Sequence, residues 1–206
     1  MMNLYRPLNP HWLCAPIEIE GIEAIQQELA YYQTTLPYRQ TTRHNSYYTN
    51  VFRNDVLAYT PMLRHWLESK HLLHKFQRLL YTANMTNGSP PHVDTLDPTI
   101  CSYSINIPLS NTEGTYTAWY AAEEATELQQ ATRLYQPHQF ATIKPQKAYR
   151  EIHRAESIHP MIVNTTVLHG AVCSNPDRKL VGIRFSPELT YTELQALGID
   201  ITKPTI

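Results

Sequence analysis

With 206 residues the chain is long enough for one large domain that buries about 70% of its unfolded surface. Lys+Arg 17 against Asp+Glu 18 leaves a net charge of -1, which excludes a general attraction to phosphate backbones or anionic lipid, so nucleic acid is not favoured as a partner. No stretch approaches the roughly 20 apolar residues of a membrane-spanning helix, and a soluble, cytoplasmic protein without membrane association is expected.

In chain order, Pro16 and the acidic residues Glu18, Glu20 and Glu23 lead into Ile22, Ile25, Leu29 and Tyr32 at helical spacing, which predicts a helix closed by Pro37. Thr60 as N-cap, Pro61 in the first turn, and Leu63, Trp66 and Leu67 on one face predict a second helix. Between Leu72 and Met85 the pattern serves either structure: Leu72, Phe76, Leu79 and Leu80 fit a helix, whereas "LLYTANMT" fits a strand. The strand is placed from about Leu79.

Past residue 90 the chain turns to short β-prone runs, "TICSYSINIPL", "TYTAWYAA", "FATIKP", "MIVN", "TTVLHGAVC" and "KLVGIRFS", separated by the turns "SNTEG" and "SNPD". Residues 122–137, "AEEATELQQATRLYQP", form a helix-prone, partly acidic insert. About eight strands suffice for a double-sheet jelly roll or cupin-like barrel over two flanking helices. The expected organisation is a single domain over 1–206. Residues 1–78 form a mainly helical flank, 79–187 the β-barrel core and 188–206 a C-terminal extension.

The three cysteines, Cys14, Cys101 and Cys173, lack metal-type spacing and read as buried free thiols. Chemistry points instead to "HVD". In an extended backbone His92 and Asp94 project to one side, because side chains alternate with period two. The pair is weak by itself and needs a third ligand, for which His169 in "VLHGAVC" is the candidate. Two imidazoles and one carboxylate on one face of an octahedron leave open positions, the arrangement of non-haem Fe(II) oxygenases.

In the last strand Arg178, Leu180, Gly182, Arg184 and Ser186 share one face and Lys179, Val181, Ile183 and Phe185 the other. The second, mostly apolar face is expected against the helices, leaving two arginines and a serine inside the barrel. A buried guanidinium needs an anion, and its planar fork suits a carboxylate. A dicarboxylate cosubstrate meets that need; so does a structural Arg–Asp or Arg–Glu pair.

With "HVD", "LHG" and "NPDR" in this order, the chain resembles the 2-oxoglutarate/Fe(II)-dependent oxygenase superfamily over residues 79–187. The resemblance implies a double-stranded β-helix, Fe(II) held by His92, Asp94 and His169, and 2-oxoglutarate as cosubstrate. Arg178 stands nine residues after His169, a spacing similar to that of members whose arginine binds the far carboxylate of 2-oxoglutarate. Arg184 and Ser186, in "RFS", resemble the Arg-x-Ser of other members and are the second choice. Leu180 departs from that pattern, standing where a serine occurs in Arg-x-Ser members with the nine-residue spacing.

On the strand after the metal loop, Ser102, Ser104 and Asn106 share the face expected to line the cavity. The resemblance to members that use an Asn or Tyr here implies Asn106 as the candidate for hydrogen bonding to 2-oxoglutarate, with Tyr103 in its place if the register is shifted by one. Tyr116, Trp119 and Tyr120 are candidates for the substrate entrance, although strand aromatics more often pack. The other histidines lack paired spacing, and "KAYREIHRAESIHP" reads as a solvated hairpin outside the site.

The implied reaction is hydroxylation or demethylation of a small molecule or an amino-acid side chain, with 2-oxoglutarate decarboxylated to succinate. Asp94 fills the carboxylate position, which halogenation leaves free for chloride. The same residues also suit a cupin-like metal enzyme without 2-oxoglutarate, or a barrel that serves as a non-catalytic binding or structural module. The sequence does not specify an oligomeric state.

Overall fold

A computed structural model describes residues 11–35, 39–41, 46–52, 56–83, 88–94, 103–122, 128–131, 140–143, 149–175, 177–187 and 189–205. The strands are β1 (Cys14–Pro16), β2 (Arg39–Thr41), β3 (Ser46–Phe52), β4 (Phe76–Ala83), β5 (His92–Val93), β6 (Tyr103–Ser110), β7 (Thr115–Ala122), β8 (Leu128–Ala131), β9 (Phe140–Ile143), β10 (Tyr149–Glu156), β11 (Met161–Asn164), β12 (His169–Cys173) and β13 (Lys179–Phe185). The helices are α1 (Ile22–Gln33), α2 (Pro61–Ser69) and α3 (Tyr191–Ala196).

Both predicted helices form. α1 buries Ile25, Leu29 and Tyr32, and α2 buries Leu63, Trp66 and Leu67. Thr60 does not cap α2 with its side chain, because its buried hydroxyl donates back to Val56 O at 3.0 Å. The carboxylate of Glu28 on α1 takes that role, accepting from Met62 N at 3.0 Å and Leu63 N at 3.4 Å. An anion at the positive end of α2 thus also ties the two helices together.

One sheet runs β1-β11-β6-β13-β4-β3-β2 and the other β10-β7-β12-β5-β9-β8. From β4 onward the chain visits the first sheet (β4), the second (β5), the first (β6), the second (β7, β10), the first (β11), the second (β12) and the first (β13). All these pairings are antiparallel. Eight strands wound alternately into two facing sheets are a jelly roll, the mainly β architecture with flanking helices expected from the sequence.

The outward face of the first sheet carries Leu79, Tyr81, Ile105, Ile107, Val181 and Ile183, each 0% exposed, packed with the helices in the larger core. Each such side chain contributes about 1.5–3 kcal/mol by leaving water. A smaller cluster of Leu13, Trp119, Met161, Val163 and Val167 fills part of the space between the sheets.

Several elements differ from expectation. β4 begins at Phe76, ahead of Leu79, and its register slips by one between Arg78 and Phe76. That bulge, at Gln77, makes core residues of a strand imitate helical spacing. In the insert, Leu128–Ala131 is a strand paired with β9, because ladder hydrogen bonds override a weak helical preference; residues 123–127 and 132–137 lie outside the described residues. "YREIHRAE" is largely exposed as expected, but it forms the edge strand β10, paired along β7, and not a hairpin. The N-terminal flank also supplies β1, β2 and β3 to the first sheet.

In the C-terminal extension α3 is closed by a capping box between Thr190 and Glu193. The Glu193 carboxylate also receives Lys75 Nζ at 2.6 Å. Among the described residues no helix is long and apolar enough to cross a membrane.

Candidate metal centre

β5 is two residues long, yet it places His92 toward the barrel interior and Val93, fully buried, to the other side. Asp94 follows on the His92 side. The antiparallel partner of His92 is His169, the first residue of β12, so the ladder itself brings the distal histidine to the His-x-Asp pair. Their rings lie 4.6 Å apart. His92 Nε2 is 3.4 Å and His169 Nε2 3.9 Å from Asp94 Oδ1, and one ligand atom from each residue lies within 4.8 Å of the others.

Both imidazoles are oriented from behind. His92 Nδ1 donates to Pro90 O at 2.8 Å and His169 Nδ1 to Val167 O at 2.9 Å. The proton on Nδ1 leaves the Nε2 lone pairs directed at the Asp94 oxygen, the tautomer that a metal requires. Gly170 makes the close approach of β12 to the His92 segment feasible: a Cβ there would lie 2.7 Å from Ser89 O. Ser89 N donates to Ala171 O at 2.8 Å, and Ala171 N donates to Ser89 Oγ at 2.8 Å.

Electrostatics match this geometry. Burial alone would raise the Asp94 carboxyl, but the Arg184 guanidinium and the two histidines outweigh it and hold the group well below the ordinary carboxylate range. His169 is pushed down to about 4, chiefly by burial and further by His92, against the opposing pull of Asp94. At neutral pH the centre therefore presents an ionised carboxylate and a neutral His169. This is a suitable donor set for a divalent transition metal with open coordination positions.

The remaining residues expected at the site are placed as follows. Arg184 is buried on the inward row of β13 and forms an ion pair with Asp94 through Nη1. Of the two roles open to it, the structure realises the Arg–Asp pair. Among the described residues its Nε, beside Gly182, is buried without a hydrogen-bond partner. A Cβ on Gly182 would lie 3.2 Å from Ser104 Oγ, 3.3 Å from Asn106 Oδ1 and 3.6 Å from Arg184 Nε. Ser104 and Asn106 thus face the same niche, with Ser104 Oγ donating to Asn106 Oδ1 at 2.9 Å. Ser102 lies outside the described residues.

Arg178 is buried just before β13, where its guanidinium hydrogen-bonds Cys173, on the same strand as His169. Tyr103 is not brought to the site. It projects from the opposite face of β6 and packs edge-on against Trp12, ring centroids 5.6 Å apart, in the helix-side core. Ser186 is also not brought there: it lies beyond β13, its N–H donates to Lys75 O at 2.8 Å, and among the described residues no bond joins it to the triad.

Further residues stand near the triad on neighbouring strands, and Trp119, a candidate for the substrate entrance, is packed in the interior instead. Trp119 on β7 is the register partner of His169 and is fully buried between the sheets. His153 on β10 follows it in the row, with ring centroids 5.6 Å apart and Nε2 3.8 Å from Cys14 Sγ. The bulge between Glu151 and His153 interrupts the alternation that would have marked His153 as inward. Arg78 stands opposite Arg184 on the same face. Tyr116 and Tyr120 project from the outer face of β7, Tyr120 with Tyr149 lining an external groove of about 350 Å³.

No family model matches the chain, and no curated protein matches it. Among solved structures, an oxidoreductase of the 2OG-Fe(II) oxygenase family from Burkholderia pseudomallei is similar at 12% identity and a TM-score of 0.48, over 79% of this chain and 78% of that one. A Pseudomonas putida prolyl-4-hydroxylase is similar at 8% identity and 0.47, over 87% and 94%. A Trichoplax adhaerens prolyl hydroxylase, in complex with a hypoxia inducible factor peptide fragment, is similar at 9% identity and 0.48, over 93% and 88%. At these values the likeness carries no weight on function, which has to be read from the triad.

Proposed function

We propose that the protein is an Fe(II)- and 2-oxoglutarate-dependent oxygenase that hydroxylates or demethylates a small molecule or an amino-acid side chain. The observation that carries this reading is the His92/Asp94/His169 triad: two imidazoles locked to backbone carbonyls, with both Nε2 atoms turned to one buried carboxylate oxygen.

The donor set fits iron. His92 Nε2 and His169 Nε2 lie 3.4 and 3.9 Å from Asp94 Oδ1, close enough for the three side chains to share one divalent cation. When bound with 2-oxoglutarate, iron supplies the activation of O2 that couples loss of CO2 from the cosubstrate to oxidation of a C–H bond. His92, Asp94 and His169 would hold the ion through two imidazole nitrogens and one carboxylate oxygen. Arg184 keeps the Asp94 carboxylate ionised and occupies its Oδ2, so that Oδ1 is the oxygen offered to the metal. Arg178 would receive the far carboxylate of 2-oxoglutarate, Arg184 Nε would offer a donor in the niche over Gly182, and Asn106, whose Oδ1 borders that niche, would offer its side-chain amide. Trp119, Met161 and Val163 form an apolar wall that excludes water from the closed side of the barrel.

The test is anaerobic addition of Fe(II) and 2-oxoglutarate, followed by visible absorption. The wild-type chain should develop a charge-transfer band. Asp94→Ala should lose both the band and succinate release, and Arg178→Ala should bind metal but require far more 2-oxoglutarate. A wild-type chain without the band, or Asp94→Ala with undiminished succinate release, would sink the proposal.

A further inference from the structure

Residues 165–168, between β11 and β12, have no regular structure, yet all four are buried. Their carbonyls serve the triad directly. Thr165 O accepts from Asp94 N at 3.2 Å, and Val167 O from His169 Nδ1 at 2.9 Å. Leu168 O accepts from Tyr120 N at 2.9 Å, which ties the segment to β7. Two of the three proposed ligands are therefore aimed by one short irregular segment.

Asn164, 0% exposed at the end of β11, shapes that segment. Its Oδ1 accepts from Thr166 N at 3.0 Å and from Thr166 Oγ1 at 2.7 Å, a side-chain turn that folds the chain over itself. Its Nδ2 donates to Trp12 O at 2.9 Å and its backbone N–H to Leu13 O at 2.7 Å. Its carbonyl accepts from Trp119 Nε1 at 3.3 Å. One side chain thus anchors the segment to the irregular stretch just ahead of β1, while the Asn164 carbonyl holds the indole beside His169.

We propose that Asn164 is a positioning residue of the metal centre, acting on Asp94 and His169 through the 165–168 segment. This rests on reading the triad as a metal site. Only an amide fits the position: it needs an acceptor for two Thr166 donors on one atom and a donor for Trp12 O on the other. Aspartate would bury a charge and lose the donor; an apolar residue would leave a buried N–H and a buried carbonyl without partners. A segment released from this turn no longer fixes Val167 O against His169 Nδ1, and the imidazole becomes free to change tautomer or rotate.

Two readouts on the full chain test this. In the metal-free protein, nitrogen-15 NMR reports the His169 tautomer; in a Co(II) titration, visible absorption reports metal affinity. Asn164→Ala should move His169 away from its Nδ1–H form and weaken Co(II) binding by about 10–100-fold, the usual loss when an outer-shell partner is removed. Thr166→Val, which removes only the hydroxyl bond, should shift both readouts in the same direction by less, and Thr166→Ser should restore them. Leu67→Ala, a core truncation in α2, should lower thermal stability and leave both unchanged.

The proposal is overturned if Asn164→Ala and Thr166→Val keep the wild-type tautomer and affinity, or if Leu67→Ala weakens Co(II) binding as much. Should Asn164→Ala fail to fold, the Thr166 pair decides. A wild-type chain that binds no Co(II) refutes the metal reading, whereas the tautomer comparison judges Asn164 without any metal.

Discussion

Replacing Arg184 with methionine removes the guanidinium that faces Asp94 and keeps most of the side-chain volume. Both partners are buried, at 8% exposure each, so water does little to shield the carboxylate left behind. A pair of unit charges about 4 Å apart in surroundings of effective dielectric about 20 interacts by about 4 kcal/mol. Breaking a buried pair by removing one partner costs about 3–5 kcal/mol. In a chain of this size that lowers Tm by about 6–20 °C.

The deficit depends on pH. In the wild type the Asp94 carboxyl is depressed below its ordinary 3.8, so its contribution is present above that value and is lost as pH falls through the folded-state value. Without Arg184, burial acts with less opposition, the carboxyl rises, and the gap between variant and wild type narrows as pH falls toward 3.8. A divalent ion replaces the missing positive charge. Saturating Co(II) should therefore stabilise Arg184→Met by more than the wild type, for which an ion at 100 times its Kd adds about 2.7 kcal/mol. Urea unfolding at several pH values, with and without Co(II), measures all of this. A variant within about 1 kcal/mol of the wild type at pH 7, or one with no larger response to metal, would refute the reasoning.

Gly170→Ala should drive the Ser89–Pro91 backbone away from β12, since the new Cβ meets Ser89 O at 2.7 Å; the expected result is a Co(II) affinity reduced at least about tenfold with the circular dichroism of the fold retained. Glu193→Gln should cost about 2–3 kcal/mol in urea unfolding, because it weakens the acceptor shared by Lys75 and the Thr190 cap. Burial raises the Glu193 carboxyl, but Lys75 and Thr190 prevail and lower it below 4.5, so the wild type should lose this advantage over the variant as pH falls below that value. Cys14, pushed up to about 11 by burial, should react with a disulfide reagent at pH 8 at a small fraction of its rate in the unfolded chain; equal rates would show that the thiol is not enclosed.

The parts of the site legible in the sequence are those with a short-range pattern. His92 and Asp94 share a face because side chains alternate, and Arg184 belongs to the inward row of β13 because Val181, Ile183 and Phe185 form the apolar one. Asn106 and Ser104 followed from the same rule. Where a bulge breaks alternation, the rule misleads. The extra residue at Gln77 made β4 look partly helical, and the bulge before His153 hid an inward histidine. Tyr103, the substitute for Asn106 under a register shifted by one, went to the core because β6 keeps the register that turns Asn106 inward.

What the sequence by itself determined was the class of the fold, the positions of α1 and α2 and the identity of a donor set, all of which rest on periodicities of two or 3.6 residues or on a donor spacing. The tertiary structure decided what those donors face. It assigned Arg184 to Asp94, and it brought Asn164 to Trp12 across 152 positions of chain. It also turned residues 165–168 into the support for two ligands. Contacts of this kind join segments far apart in the chain that meet only once strands have paired within and across the two sheets, so no local pattern in the sequence announces them.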